Sequence, residues 1–295
     1  MAFNRLAVFT LPPQMISFYK DNIEYITEHA VDPDKRRYSD PEEAPHHYID
    51  LDRYGTYPFD SLPRRWNDAV AKYTEDSLNK HGVVPWWISL ELIRLTDAFK
   101  EKNKYRILHY SADIGHYIAD AHVPLHCTSN YNGQLTNQKG IHAFWESRVP
   151  ELFGDEYDYF VGKAEYIEHP GESIWKSVMQ SAAAVDSVLG MEKILSQQFP
   201  SDQKYTYEDR GESNIRTYSK DYSAAYEKML DDMQEKRMRA AIITIGSFWY
   251  TAWVNAGKPD LSDLKDSPAS PEDIQQLNAM DKSWRDGKII GRTEE

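Results

Sequence analysis

The chain has 295 residues, a formal charge of −13 and an apolar fraction of 41%, enough to bury a sizeable core in one domain or two. The acidic balance excludes a broad basic footprint for nucleic acid, and no window reaches the roughly 18 consecutive apolar residues that a membrane-spanning helix requires. A single cysteine, Cys127, excludes an internal disulfide framework.

The amino terminus, MAFNRLAVFTLPP, lacks a charged start followed by an apolar run and a small-residue cleavage site, so the chain as given carries no signal peptide. Pro12 and Pro13 suit a helix start, after which Met15, Ile16, Tyr19, Ile23 and Ile26 recur at helical spacing. Residues 32–63 are rich in Pro, Asp, Gly and Tyr and read as a long ordered loop, and a loop of that length in a compact domain is usually functional or disordered. Helices are expected over 66–80 (stopped by Gly82), 85–101, 103–122, 140–150, 172–197 and 218–256, with a Pro/Asn/Gly loop over 123–139. Beyond Gly257 the composition turns polar, with Pro259, Pro268 and Pro271, and one further helix is expected near 271–284. Alternating β-branched runs are scarce and no repeat is present. The expected fold is therefore all-α. A single multi-helix domain spans 1–260, with long ordered loops carrying the site, and a polar tail spans 261–295.

The chemistry concentrates in HYSADIGHYIADAHVPLH, residues 109–126. His116 and Asp120 are four apart, so on a helix they share a face and can grip one ion. Pro124 ends that helix, and the turn it starts can bring His126 back beside the helix end. Further on, IHAFWES repeats the spacing with His142 and Glu146. Imidazole with carboxylate suits zinc, and burying such groups together without a cation is costly. A single His-xxx-Asp pair is more often a surface ion pair worth a few tenths of a kcal/mol. His109 and Asp113 repeat the pattern one heptad earlier, and spacing alone does not choose between the two pairs.

HYIADAHVPLH, then NYNG, then IHAFWE, resembles the signature of the zinc-dependent bacterial phospholipases C and of the single-strand-specific zinc nucleases (P-one/S-one type) of fungi and plants. The resemblance covers roughly Asp32 to Pro150, and more loosely the helix near 218–256. It extends upstream to Asp32 in HAVDPD and His47 in HHYID, fifteen residues apart as in the family. It implies one zinc ion on Asp32, His47, His116 and Asp120, and a second on His126, His142 and Glu146. Asp120 would bridge to a third ion whose remaining ligands, an amino-terminal Trp and a nearby His, fall before Met1, because FNRLAVF looks like the continuation of the family's first helix. Asp32 would also act catalytically, orienting or deprotonating the attacking water.

The implied function is a zinc-dependent phosphoric ester hydrolase, a phosphodiesterase of nuclease or 3′-nucleotidase type. One alternative is a phospholipase C acting on phospholipid head groups, which also uses Glu at the position of Glu146. Another is a zinc-stabilised binding protein that has lost catalysis with the third site. Substrates would be single-stranded nucleic acid, a nucleotide or a phospholipid, with no stable nucleic-acid partner, and the family implies a periplasmic or secreted location. Asn130 and Asn132 are candidates to line the cleft, and Asp50 and Asp52 to orient His47, since zinc-bound imidazoles donate their other N–H to an acceptor. His122 is expected to shape the turn. His29, His46, His81, His109 and His169 match no ligand pattern.

Overall fold

The computed structural model describes residues 3–211 and 213–264, together with the isolated helical positions Pro271, Gln275, Ala279 and Lys282; the remainder of the expected 271–284 helix lies outside the described residues. Among the described residues the fold is all-α apart from one two-stranded hairpin. At its centre runs the helix Lys104–Ala121, buried continuously from Ser111 to Ala121. It forms an antiparallel pair with Val84–Lys100, whose first turn holds Pro85, Trp86 and Trp87. Asn103 caps the central helix, its side chain accepting from the Arg106 amide at 3.1 Å. Helices Met233–Asn255, Ile23–Glu28 and Phe3–Ala7 close the remaining sides. Gly115 is what admits the last of these: a Cβ there would collide with the Asn4 side chain, whose Nδ2 donates to the Ala112 carbonyl at 2.9 Å. A helix enclosed on all sides that still carries His116 and Asp120 needs an internal answer to their polarity.

Most apolar side chains join one large core around this bundle. A second, smaller cluster of Leu125, Ile141, Phe144, Trp145, Val149 and aromatic residues such as Tyr222 and Tyr226 packs the 141–153 segment against helices Pro170–Gln198 and Lys220–Leu230. His126 sits on the seam, because Leu125 belongs to the smaller core and Cys127 to the larger.

Several expected helices divide. The 66–80 stretch becomes Trp66–Tyr73 and Glu75–His81, separated at Thr74 (φ 68°), and Gly82 ends the second as expected. Residues 218–256 become Lys220–Leu230 and Met233–Asn255, separated by Asp231 and Asp232, both left-handed. The hairpin Tyr205–Arg210 with Ser213–Tyr218, paired from Tyr205↔Tyr218 to Arg210↔Ser213, is not among the expected elements. No described helix is long and apolar enough to cross a membrane.

Candidate metal centre

Three parts of the fold deliver the polar groups. The central helix supplies His116 and Asp120, and the long loop supplies Asp34 and His47. The turn Pro124–Cys127 and the 141–153 segment supply His126, His142 and Glu146. Two clusters result whose donor atoms lie close enough to share an ion: Asp34, His47 and His116, and His126, His142 and Glu146.

In the first cluster Asp120 Oδ2 lies 2.9 Å from His47 Nδ1 and 3.2 Å from His116 Nε2, while these two nitrogens are 3.1 Å apart. Asp34 Oδ1 stands 3.9 and 3.7 Å from the same nitrogens. A tetrahedral ion with ligands at about 2.0–2.1 Å separates them by about 3.3 Å, close to the spacing of Asp120 Oδ2 and the two nitrogens, with Asp34 Oδ1 somewhat farther out. In the second cluster Glu146 Oε2 lies 2.9 Å from His142 Nε2 and 3.5 Å from His126 Nε2. Two nitrogens and one oxygen there leave a fourth position for water or substrate.

Ring orientation is set from behind. His116 Nδ1 lies 2.9 Å from the Ala30 carbonyl, His126 Nδ1 2.6 Å from the His47 carbonyl, and His142 Nδ1 3.2 Å from the Tyr131 carbonyl. A carbonyl only accepts, so each Nδ1 carries the proton and each Nε2 lone pair is turned into its cluster. The contact from His126 to the His47 backbone, with the Ile49 amide returning to the His126 carbonyl at 2.9 Å, fastens the two clusters together.

The charges suit a cation. Burial alone would raise the Asp120 carboxyl, yet His116 and His126 hold it well below the ordinary carboxylate range. Burial resists protonation of His116, but Asp120 and Asp34 outweigh it and lift the imidazole to about 10. Glu146 follows Asp120: burial pushes it up, and hydrogen bonding to His126 and His142 carries it well below its usual value. A proton on His116 offsets Asp120 and Asp34, and a divalent ion that displaced it would take over the Nε2 lone pair and supply more charge.

Asp32 is corrected. Its Oδ2 lies 2.5 Å from His29 Nδ1 and its Oδ1 3.0 Å from Lys35 Nζ, and its side chain is almost wholly enclosed. Asp34 takes its place in the cluster, with 43% of its side chain exposed. Both sit on the short helix Asp32–Arg36, where residues two apart point to nearly opposite sides, so only one can reach the imidazoles. His109 and Asp113 stay out of both clusters, since Asp113 Oδ2 is bound by Arg36 Nη2 at 2.7 Å. Asn130 and Asn132 are buried loop fasteners. Asn130 Oδ1 accepts from the Leu135 amide at 2.8 Å, and Asn132 Oδ1 from the Gly140 amide at 2.8 Å and the His142 amide at 3.4 Å. Asn132 therefore sets the start of the helical turn that carries His142.

Asp52 accepts from the Ser129 amide and hydroxyl, and Asp50 Oδ2 lies 3.7 Å from His81 Nδ1. The Nε2 of His47 faces Glu43, whose Oε1 lies 3.3 Å away without completing a hydrogen bond. His122 shapes the turn as expected: Nδ1 meets the Ile118 carbonyl at 2.7 Å, and burial with the nearby Arg237 lowers the ring to about 3, so it is neutral. Cys127 is a packed side chain with Sγ 3.6 Å from the Val178 carbonyl. Glu146 rides on a π-turn, Phe144–Arg148, clamped by Arg148 to the Tyr218 carbonyl at 3.0 Å and to Glu208 at 2.5 and 2.9 Å. The hairpin therefore holds the second cluster in place.

No protein-family model matches the chain, and no curated protein matches it in sequence. The geometry itself establishes two groups of His, Asp and Glu that can hold metal ions.

Proposed function

We propose that the chain is a zinc-dependent hydrolase of phosphate esters, a phosphodiesterase of nuclease or 3′-nucleotidase type. The supporting observation is the pair of adjoining ligand clusters, three of whose four imidazoles are turned inward by a backbone carbonyl behind them. Zinc ions bound there supply Lewis-acid polarisation of a phosphoryl oxygen and acidify a water molecule. The protein's own groups do the rest. His47, His116 and Asp120 hold one end of the site, and His126, His142 and Glu146 hold the other. Asp34, the half-exposed carboxylate, accepts a hydrogen bond from the attacking water and orients it, the role the resemblance gives to Asp32.

A cavity of about 310 Å³ opens beside Glu146 and is lined by Trp145, Pro150, Tyr159 and Met238 among others. Its apolar walls favour a second reading, phospholipase C activity on head groups. Purified protein supplied with zinc is to be assayed on single-stranded DNA, 3′-AMP and short-chain phosphatidylcholine. The hydrolase reading expects turnover of at least one, lost when His126→Ala or His116→Ala is introduced. Tight zinc binding without turnover of any ester would leave the non-catalytic, zinc-stabilised binding protein as the correct description.

A further inference from the structure

Four imidazoles face the two clusters, and three are backed by backbone carbonyls. His47 is the exception. It presents Nδ1 to the cluster, and its Nε2 lies 3.3 Å from Glu43 Oε1. Glu43 is 3% exposed and sits four residues before His47, immediately ahead of the turn Ala44–His47. Its carboxylate is held from every side: Tyr117 Oη donates to Oε1 at 2.5 Å, Arg36 Nε donates to Oε2 at 3.0 Å, and His46 Nδ1 stands 3.8 Å from Oε2. Arg36 Nη2 reaches Tyr117 Oη at 3.0 Å and Asp113 Oδ2 at 2.7 Å, which locks the assembly to the central helix.

We propose that Glu43 is the positioning residue of the first ion site: its Oε1 stands 3.3 Å from the buried His47 Nε2, which makes no hydrogen bond in this structure, and takes that Nε2–H when Nδ1 engages the ion. The proposal rests on the reading of the two clusters as ion sites. A carboxylate behind a ligating imidazole fixes its tautomer and strengthens its donation, and losing such a partner typically weakens metal affinity by about 10–100-fold. A second consequence comes from the helix Asp32–Arg36. It carries Asp34, a ligand, and Arg36, which clamps Glu43, so one short element sets both the first-cluster carboxylate and the orientation of His47.

The competing role is a plain buried ion pair with Arg36, and metal affinity separates the two. Zinc binding is measured by competition with a chromophoric chelator in wild type, Glu43→Ala and Glu43→Gln. The Co²⁺ visible spectrum reports ligand geometry, and thermal melting of the metal-free proteins controls for folding. The expected result is a loss of about 10–100-fold at one of two sites in Glu43→Ala, with the other site unchanged. Glu43→Gln keeps the shape and an acceptor oxygen, so it loses less while the Co²⁺ bands still shift. If Glu43→Ala does not fold, the proposal stands or falls on Glu43→Gln alone. Two sites of wild-type affinity and an unshifted spectrum in the folded variants overturn the proposal and leave the metal reading intact. A wild-type protein that binds no ion overturns both.

Discussion

Glu91 lies on the helix Val84–Lys100, only 2% exposed, with Oε1 taken by Arg94 at 2.6 Å and Oε2 buried without a hydrogen-bond partner. Burial, reinforced by Asp113, raises its carboxyl from 4.5 to about 7. Between those values the unfolded chain has released a proton that the folded protein still holds. Folding is therefore favoured below about 4.5, loses stability as pH rises to about 7, and changes no further above that. At about 1.4 kcal/mol per pH unit the window amounts to about 3 kcal/mol. Glu91→Gln keeps the acceptor for Arg94 and removes the titration. Urea unfolding of both proteins at pH 4.5 and pH 8 should show the substitution gaining about 3 kcal/mol on wild type between the two conditions. A difference that does not change with pH would refute the account of Glu91 as a buried, reluctantly ionised acid.

Asp34→Asn should weaken zinc binding at one site by about tenfold or more, whereas Asp32→Asn should leave affinity nearly unchanged and cost about 1–2 kcal/mol of stability through its lost bonds to His29 and Lys35. Equal losses of affinity in a chelator competition would contradict the placement of the two carboxylates. Arg148→Met removes the clamp between the π-turn and the hairpin and should lower stability by about 1–3 kcal/mol together with affinity at the Glu146 site, read by denaturation and zinc titration. Gly115→Ala should cost about 1–3 kcal/mol because Asn4 has to move, a change read directly in the melting temperature. Chelator treatment should lower the melting temperature of the zinc-loaded protein. An ion present at about 100 times its Kd stabilises by about 2.7 kcal/mol per site, and zinc restores the loss.

The helical pairs were legible in the sequence because helical spacing is a local property. His116 with Asp120 and His142 with Glu146 meet on one face each, at 3.2 and 2.9 Å. The second of these is met on a π-turn, which the spacing does not announce. Asp32 against Asp34 was beyond spacing. A count from His47 fits either within a residue or two, and the facing side is decided by how a five-residue helix docks. Glu43 was hidden for a similar reason: the loop carries many carboxylates, and the one behind His47 is chosen by the fold of the Ala44–His47 turn, not by proximity to Asp50 or Asp52. Helix breaks at Thr74 and at Asp231–Asp232 come from non-glycine residues at positive φ, which composition does not signal. The hairpin had a faint signal in YTYEDR and SNIRTY, alternating around Gly211, but half of each strand is polar and exposed.

The central claim is that two separate groups of side chains each hold an ion, and metal counting tests it most directly. Protein saturated with zinc, freed of loose metal and analysed by mass spectrometry of the intact folded chain, should carry two ions through the groups described here, with His116→Ala and His142→Ala each carrying one fewer. A folded wild-type chain that retains no zinc under those conditions would contradict it.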